Sequence, residues 1–161
     1  MDYIWTPWRY QYITSALAGE KPDCIFCDAA KRTDDEVTLV VHRAVSSFVI
    51  LNRFPYTSGH LMIVPYKHTA ELVGLDSATL TEMMQLSQRA EVAFKSLYKP
   101  DGLNFGMNLG RAAGAGIAGH LHLHGLPRWI GDASFLSVTG ETRVLPEDLS
   151  TTFQRLRSAL A

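Results

Sequence analysis

The stretch Gly119-His-Leu-His-Leu-His-Gly-Leu-Pro-Arg-Trp129 is the most informative part of this sequence. Successive side chains of a β-strand point to opposite faces, so we predict that His120, His122 and His124 share one face, with about 7 Å from each to the next. The intervening leucines would then point into a core. Imidazole can act near neutral pH as a nucleophile, a base, an acid or a metal ligand. The row therefore predicts a chemical site rather than three solvated histidines on an exposed strand, because the strand is otherwise apolar.

A glycine-rich segment, residues 106–119, leads directly into the histidine row. Glycine has no Cβ, so the backbone amides of such a segment can turn toward an anion and approach it closely, and Arg111 adds a positive charge. A glycine-rich segment can also be a plain connection. Because this one runs straight into the histidines, it indicates a phosphate-binding loop beside a nucleophile.

The two cysteines of the chain, Cys24 and Cys27, are separated by two residues. A pair at this spacing is consistent with a redox couple, half of a zinc site or an incidental pair. A disulfide scaffold is excluded, because a chain of 161 residues has enough core to fold without one. Zinc would need two more protein ligands.

Length and composition predict a single domain, residues 1–161, with 47% apolar residues. We expect no membrane association, because no segment approaches the roughly 18 apolar residues of a membrane span. We also expect no secretory signal, since the first residues do not pass from a basic stretch into an apolar run. The net charge of −1 argues against a nucleic-acid partner. These observations together predict a soluble, cytoplasmic protein.

The periodicity of apolar residues predicts an α+β fold. One long helix is expected over residues 77–98, with Asp76 as its N-cap and Pro100 and Gly102 after its end. A shorter helical stripe in the C-terminal segment would pack on its own domain or on a partner; it consists of Leu149, Phe153, Leu156 and Leu160. Five short β-like runs are separated by Gly, Pro or Asn, at residues 37–42, 47–51, 61–65, 103–108 and 120–126.

The pattern His-apolar-His-apolar-His followed by Pro127-Arg128 resembles the histidine triad family of nucleotide-binding hydrolases and transferases. Residues 48–52 and 57–68 resemble the strand, nucleotide-contacting loop and second strand of that family. Residues 127–132 resemble its bacterial branch, which includes diadenosine tetraphosphate phosphorylases. The resemblance covers a core of about residues 5–135, with 136–161 as a C-terminal extension. It implies a five-stranded antiparallel sheet with one long helix and a C-terminal helix, and a homodimer that continues the sheet to ten strands.

The resemblance also implies an activity. His122 would attack the α-phosphorus of a dinucleoside polyphosphate or a nucleoside phosphoramidate and form a covalent nucleotidyl-histidine intermediate, for which its ring must be neutral. His124 would donate to phosphoryl oxygens or to the leaving group, and His60 would support the row unless it is an ordinary buried histidine. The expected nucleotide-binding residues are Asn52, Asn108, Gly114, Ala115, Gly116 and His124.

In family members that carry the cysteine pair, the remaining zinc ligands occupy the positions of His68 and His120. The resemblance therefore implies a structural Zn²⁺ held by Cys24, Cys27, His68 and His120, and no organic cofactor. One departure affects the substrate. Many members have Gln or Ser where this chain has Gly116 and Ile117, so phosphate binding would depend on backbone amides, His124 and Arg111.

Three questions stay open at the level of sequence. The aromatic segment from Trp5 to Tyr12 could stack on a nucleobase, although packing is the more common role of such residues. The three histidines of the row could instead hold a catalytic metal in a metal-dependent hydrolase or oxygenase. The protein could also be a non-catalytic nucleotide-binding module, which would keep its ligand after loss of His122.

Overall fold

A computed structural model of the chain describes residues 23–132 and 145–161. The aromatic segment Trp5 to Tyr12, Phe135 at the expected end of the core and the first part of the C-terminal extension lie outside the described residues. No helix in the described ranges is both long enough and apolar enough to cross a membrane. The helices and strands are α1 (Ile25–Lys31), α2 (Asp35–Thr38), β1 (Val40–Arg43), β2 (Ser47–Leu51), β3 (Leu61–Pro65), α3 (Ser77–Tyr98), β4 (Gly102–Met107), β5 (Leu123–Arg128) and α4 (Leu149–Ala159).

The strands form one five-stranded sheet in the order β1-β2-β3-β5-β4. Every neighbouring pair is antiparallel, which confirms the α+β fold with an antiparallel sheet. The last strand, β5, lies between β3 and β4, so that His124 pairs with Met62 on one side and with Gly106 on the other. This register brings the end of the histidine row beside the turn before β3 and beside the start of the glycine-rich segment.

Both faces of the central strands are buried, because separate apolar clusters cover them. On β2, Val49 and Leu51 belong to one cluster, while Phe48 and Ile50 belong to the other, as alternation along a strand requires. The first cluster includes residues of α3 and α4, which confirms both predicted helices and shows that the C-terminal stripe packs on its own chain. The second cluster contains Cys24 and Phe26 from the start of the described chain.

The start of α3 follows from a single side chain. Asp76 has an extended backbone, and its carboxylate accepts a hydrogen bond of 2.8 Å from the amide of Thr79, as the sequence predicts for an N-cap. The helix ends at Tyr98; the next residue, Lys99, has a left-handed φ of 45°, and Pro100 follows it.

The predicted strand over residues 37–42 is wrong at its beginning. Val37 and Thr38 belong to the short helix α2, and β1 begins only at Val40. Leu39 separates the two elements with a left-handed φ of 66°. An isolated apolar run does not distinguish a strand from a short helix, so the acidic residues before Val37 were the better signal here.

The predicted strand over residues 120–126 begins three residues later, at Leu123. Before it, the amide of Leu121 donates to the carbonyl of Thr69 over 2.7 Å rather than to a neighbouring strand. The alternation of side chains nevertheless continues through this segment, because Leu121 and Leu123 both lie in the cluster with α3. The predicted strand over residues 103–108 is displaced by one residue, to Gly102–Met107.

Candidate functional site

Four histidines form a buried group on one face of the sheet. His60, His120, His122 and His124 are at most 9% exposed, which excludes the alternative of a solvated row. The ring centroids of His122 and His124 are 4.8 Å apart, and those of His60 and His124 are 5.1 Å apart. The structure therefore brings together all three residues expected to be catalytic.

A backbone hydrogen bond determines which nitrogen of His122 carries the proton. Its Nδ1 lies 2.8 Å from the carbonyl oxygen of His120, within the same segment. A carbonyl can only accept, so Nδ1 of the neutral ring donates, and the lone pair of His122 is left on Nε2. A neutral imidazole with a lone pair on Nε2 has a nucleophilic atom in a fixed direction.

A chain of hydrogen bonds gives His124 the opposite tautomer. The amide of Tyr56 donates to Nδ1 of His60 over 3.1 Å, so the neutral ring of His60 carries its proton on Nε2. That Nε2 lies 2.9 Å from Nδ1 of His124, which must then accept. The proton of His124 is therefore on its Nε2, which makes this residue a hydrogen-bond donor next to His122.

Burial also keeps these rings neutral. Loss of solvent lowers the pKa of His122 below its ordinary value, against a smaller opposite effect of the bond to His120. The pKa of His124 falls to about 4, chiefly through burial and then through the neighbouring His122. Both rings are thus neutral at neutral pH, and each carries a single N–H proton.

The low pKa of His124 predicts a pH-dependent stability. In the unfolded chain this histidine takes a proton below about pH 6.5, whereas in the folded chain it stays neutral down to about pH 4. The neutral ring of His124 therefore makes its full contribution to the free energy of unfolding above pH 6.5. This contribution is lost as the pH falls toward 4, by up to about 3 kcal/mol. The groups that face it are His60, His122 and the ring of Tyr56.

Urea unfolding at pH 7.5 and at pH 5 would measure this loss. We expect the wild-type protein to lose more free energy of unfolding between the two pH values than His124→Gln, whose side chain does not titrate. Equal losses in the two proteins would contradict the prediction.

A second cluster lies at the start of the histidine row. One potential metal-ligating atom from each of Cys24, Cys27, His68 and His120 lies within 4.8 Å of all the others. Nδ1 of His120 is 3.2 Å from Sγ of Cys24 and 3.6 Å from Sγ of Cys27, and Nδ1 of His68 is 3.2 Å from Sγ of Cys27. Zinc bonds of about 2.3 Å to sulfur and 2.0 Å to nitrogen in a tetrahedron place such atoms about 3.5 Å apart. The cluster therefore has the donor set and the spacing of a zinc site.

The second nitrogen of His120 supports the same interpretation. Its Nε2 lies 2.9 Å from the carbonyl oxygen of Pro65 and must donate to it, so Nδ1 keeps the lone pair that a metal requires. Within the described part of the chain, this cluster is the one group of side chains that could hold a metal ion, and His120 is its only member from the histidine row. The alternative in which His122 and His124 also bind a metal therefore receives no support.

The glycine-rich segment closes on itself between β4 and β5. Gly110 and Gly114 have φ values of 81° and 89°, which are strained for other residues, and a 3₁₀ turn lies between them. The side-chain amide of Asn108 donates to the carbonyl of Gly114 over 3.4 Å, and the amide of Ala115 donates to Gly110. Asn108 and Ala115 thus hold the shape of the loop, while Gly116 lies exposed.

Asn52 lies beside His60, at the edge of the buried histidine group. Its Oδ1 accepts from the amide of Phe54 over 2.9 Å, and its Nδ2 is 3.4 Å from Nδ1 of His60. This side chain, which is expected to bind the nucleotide, therefore also supports the tautomer of His60.

Sequence reasoning missed two residues that contact the histidines. The ring of Phe26 lies 5.0 Å from that of His122, and the ring of Tyr56 lies 4.6 Å from that of His60. Neither was distinguished by periodicity. The position of Phe26 between the two cysteines was the signal available for it.

Comparison with known proteins explains why these features occur together. The HIT domain model matches residues 34–129. The chain belongs to the histidine triad family. The AP-4-A phosphorylase of Mycobacterium tuberculosis is 38% identical over 166 aligned residues, which cover 100% of this chain and 85% of that protein. The family and this relative identify the chain as a histidine triad enzyme.

Solved structures of the family agree. A Zn-bound histidine triad family protein from Mycobacterium smegmatis superposes with a TM-score of 0.68 at 30% identity, over 86% of this chain and 93% of that one. A histidine triad nucleotide-binding protein from Sulfolobus tokodaii also gives a TM-score of 0.68, at 28% identity, over 85% of this chain and 91% of that one. Both comparisons confirm the histidine triad fold.

Proposed function

We propose that this histidine triad enzyme transfers a nucleotidyl group from a dinucleoside polyphosphate, with diadenosine tetraphosphate as the best candidate. The observation that carries the proposal is the bond from Nδ1 of His122 to the carbonyl of His120, which directs a lone pair on Nε2 away from the backbone. The 38% sequence identity to AP-4-A phosphorylase, over the full length of this chain, supports the choice of diadenosine tetraphosphate as substrate.

In the first step, Nε2 of His122 attacks the α-phosphorus of diadenosine tetraphosphate. A P–N bond forms, the bond from that phosphorus to the bridging oxygen breaks, and the electron pair leaves with ATP. The adenylyl group stays on His122 as a phosphoramidate. His124 donates from Nε2 to a phosphoryl oxygen as negative charge develops there.

In the second step, inorganic phosphate attacks the same phosphorus. The P–N bond breaks, His122 recovers its lone pair, and the product is ADP. Attack by water would give AMP instead. Similarity to a phosphorylase favours phosphate as the acceptor.

The remaining residues position these groups. His60, with Asn52 and the amide of Tyr56, fixes the tautomer of His124. The loop that contains Asn108, Gly114, Ala115 and Gly116 would surround the phosphates. Since Gly116 and Ile117 offer no side-chain donor, the phosphates would accept hydrogen bonds from His124 and backbone amides, and the exposed Arg111 would supply the positive charge.

Labelled phosphate would test this reaction. Incubation of the purified protein with diadenosine tetraphosphate and ³²P-phosphate should give equal amounts of ATP and ADP, with the label in ADP only. AMP as the main product at millimolar phosphate would show a hydrolase, and no product from any dinucleoside polyphosphate or phosphoramidate would show a binding module.

We also propose that the Cys/His cluster holds a structural zinc. With four protein ligands a tetrahedral zinc has no open position, so the metal would stabilise the fold rather than bind the substrate. We propose a cytoplasmic location, where reducing conditions keep the two thiols available as ligands.

We also propose that the protein forms a homodimer. Within the described sheet, β4 is an edge strand, and Phe105 on it is 36% exposed. A second copy paired along β4 would cover this edge and extend the sheet to ten strands.

A further inference from the structure

Phe26 lies between the metal cluster and the proposed nucleophile. Its side chain is completely buried, and its ring centroid is 5.4 Å from that of His120 and 5.0 Å from that of His122. The Phe26 ring packs edge-on against His120, and its plane is tilted by 48° from that of His122. It is thus an aromatic ring in contact with one ligand of the cluster and with the reacting side chain.

Phe26 is flanked in sequence by the two cysteines of the metal cluster. Cys24 is the residue before α1, and Phe26 and Cys27 lie in the first turn of that helix. Of the residues of α1, Phe26 and Ala29 are buried, and Cys27 and Ala30 are partly buried against the same apolar cluster. Two bonds from Cys24 and Cys27 to one metal ion would hold the first turn, and the ring between them, against the histidine row.

The ring of His122 is in contact with two other aromatic rings. His124 packs against it edge-on with centroids 4.8 Å apart, and Phe26 lies against it with centroids 5.0 Å apart. Removal of the Phe26 ring would leave space into which the imidazole can turn, and the bond from Nδ1 to the carbonyl of His120 would no longer be enforced by packing. Rotation would direct the lone pair of Nε2 away from the substrate.

We propose that Phe26 is a positioning residue that holds His122 in its reactive orientation and makes this orientation depend on the metal cluster. The kinetic consequence rests on the proposed function, but the orientation of His122 does not. A displacement of about 1 Å at a reacting group can cost about 100-fold in rate. Loss of the Phe26 ring should therefore lower kcat and leave KM nearly unchanged, because the phosphate loop and His124 are intact.

Phe26→Leu tests the proposal, and Phe48→Leu is its matched control. Phe48 is also completely buried and belongs to the same apolar cluster, but its ring stacks on Tyr66 at 5.3 Å rather than on a histidine. With zinc content and Tm measured for both, we expect kcat of Phe26→Leu to fall about 10- to 100-fold with KM within threefold of wild type. Phe48→Leu should lower Tm by a similar amount and retain kcat within about twofold. Equal kcat losses in the two variants would overturn the proposal, since general packing would then explain them.

The second readout needs no substrate. Long-range ¹H–¹⁵N spectra of the imidazoles should show a single Nδ1-protonated tautomer for His122 in the wild type and in Phe48→Leu, and a mixture of tautomers in Phe26→Leu. Phe26→Met, which fills more of the space, serves if Phe26→Leu does not fold. An unchanged tautomer together with unchanged kcat would overturn the proposal. An inactive wild-type protein with a tautomer that responds to Phe26 would overturn the proposed function alone.

Discussion

His122→Asn is expected to lower the turnover of diadenosine tetraphosphate by at least about 10⁴-fold, equivalent to more than about 5 kcal/mol of transition-state stabilisation. The amide of Asn has no nucleophilic lone pair, so no adenylyl intermediate can form. Nucleotide affinity should stay within a few-fold of wild type, because the loop and His124 remain. Steady-state kinetics, calorimetric binding of a non-hydrolysable analogue and mass spectrometry of the quenched protein would measure the three quantities.

His42→Asn is the matched control for this change. His42 lies on β1, where its Nε2 is 2.9 Å from the guanidinium of Arg89, outside both histidine clusters. The same substitution there should leave kcat within about twofold of wild type. A His122→Asn protein that kept a tenth of the wild-type activity would contradict the covalent mechanism, even if the control behaved as expected.

Cys24→Ser is expected to release zinc and to destabilise the protein strongly. Elemental analysis of wild-type protein purified without chelator should find one zinc per chain. At free zinc about a thousand times above its Kd, binding adds about 4 kcal/mol to the free energy of unfolding, and its loss should lower Tm by about 8 to 16 °C for a chain of this size. Thermal unfolding with and without added zinc would show the difference.

The control for this variant changes the same helix but no ligand. Ala30→Ser places a hydroxyl on α1 and leaves Cys24, Cys27, His68 and His120 in place. This protein should keep its zinc, and its Tm should remain within a few degrees of wild type. Wild-type protein without zinc, or zinc that leaves when substrate binds, would contradict the structural role.

The sequence was sufficient for the histidine row and for the type of fold. Alternation of His and Leu over residues 120–124 is a local property of an extended backbone, so the shared face of the histidines followed without knowledge of any neighbour. The same holds for α3, because the Asp76 cap, the helical stripe and Pro100 act within a few residues of the helix they delimit. The extent of β1 was harder, since a short apolar run carries no periodicity that separates a strand from a turn of helix.

The hydrogen bonds of the folded chain, one local and one between distant residues, decided which nitrogen atoms can react. The sequence placed His122 and His124 on one face with equal chemistry, but a backbone carbonyl gives one ring its proton on Nδ1, and His60 gives the other its proton on Nε2. The carbonyl belongs to His120, two residues before His122, whereas His60 lies in the turn before β3 and reaches His124 only because β3 and β5 are neighbours in the sheet. The position of Phe26 against both His120 and His122 also depends on how the folded chain packs. Residue identity sets which reactions a side chain can perform, whereas the hydrogen bonds and packing of the folded chain select the one that it does perform.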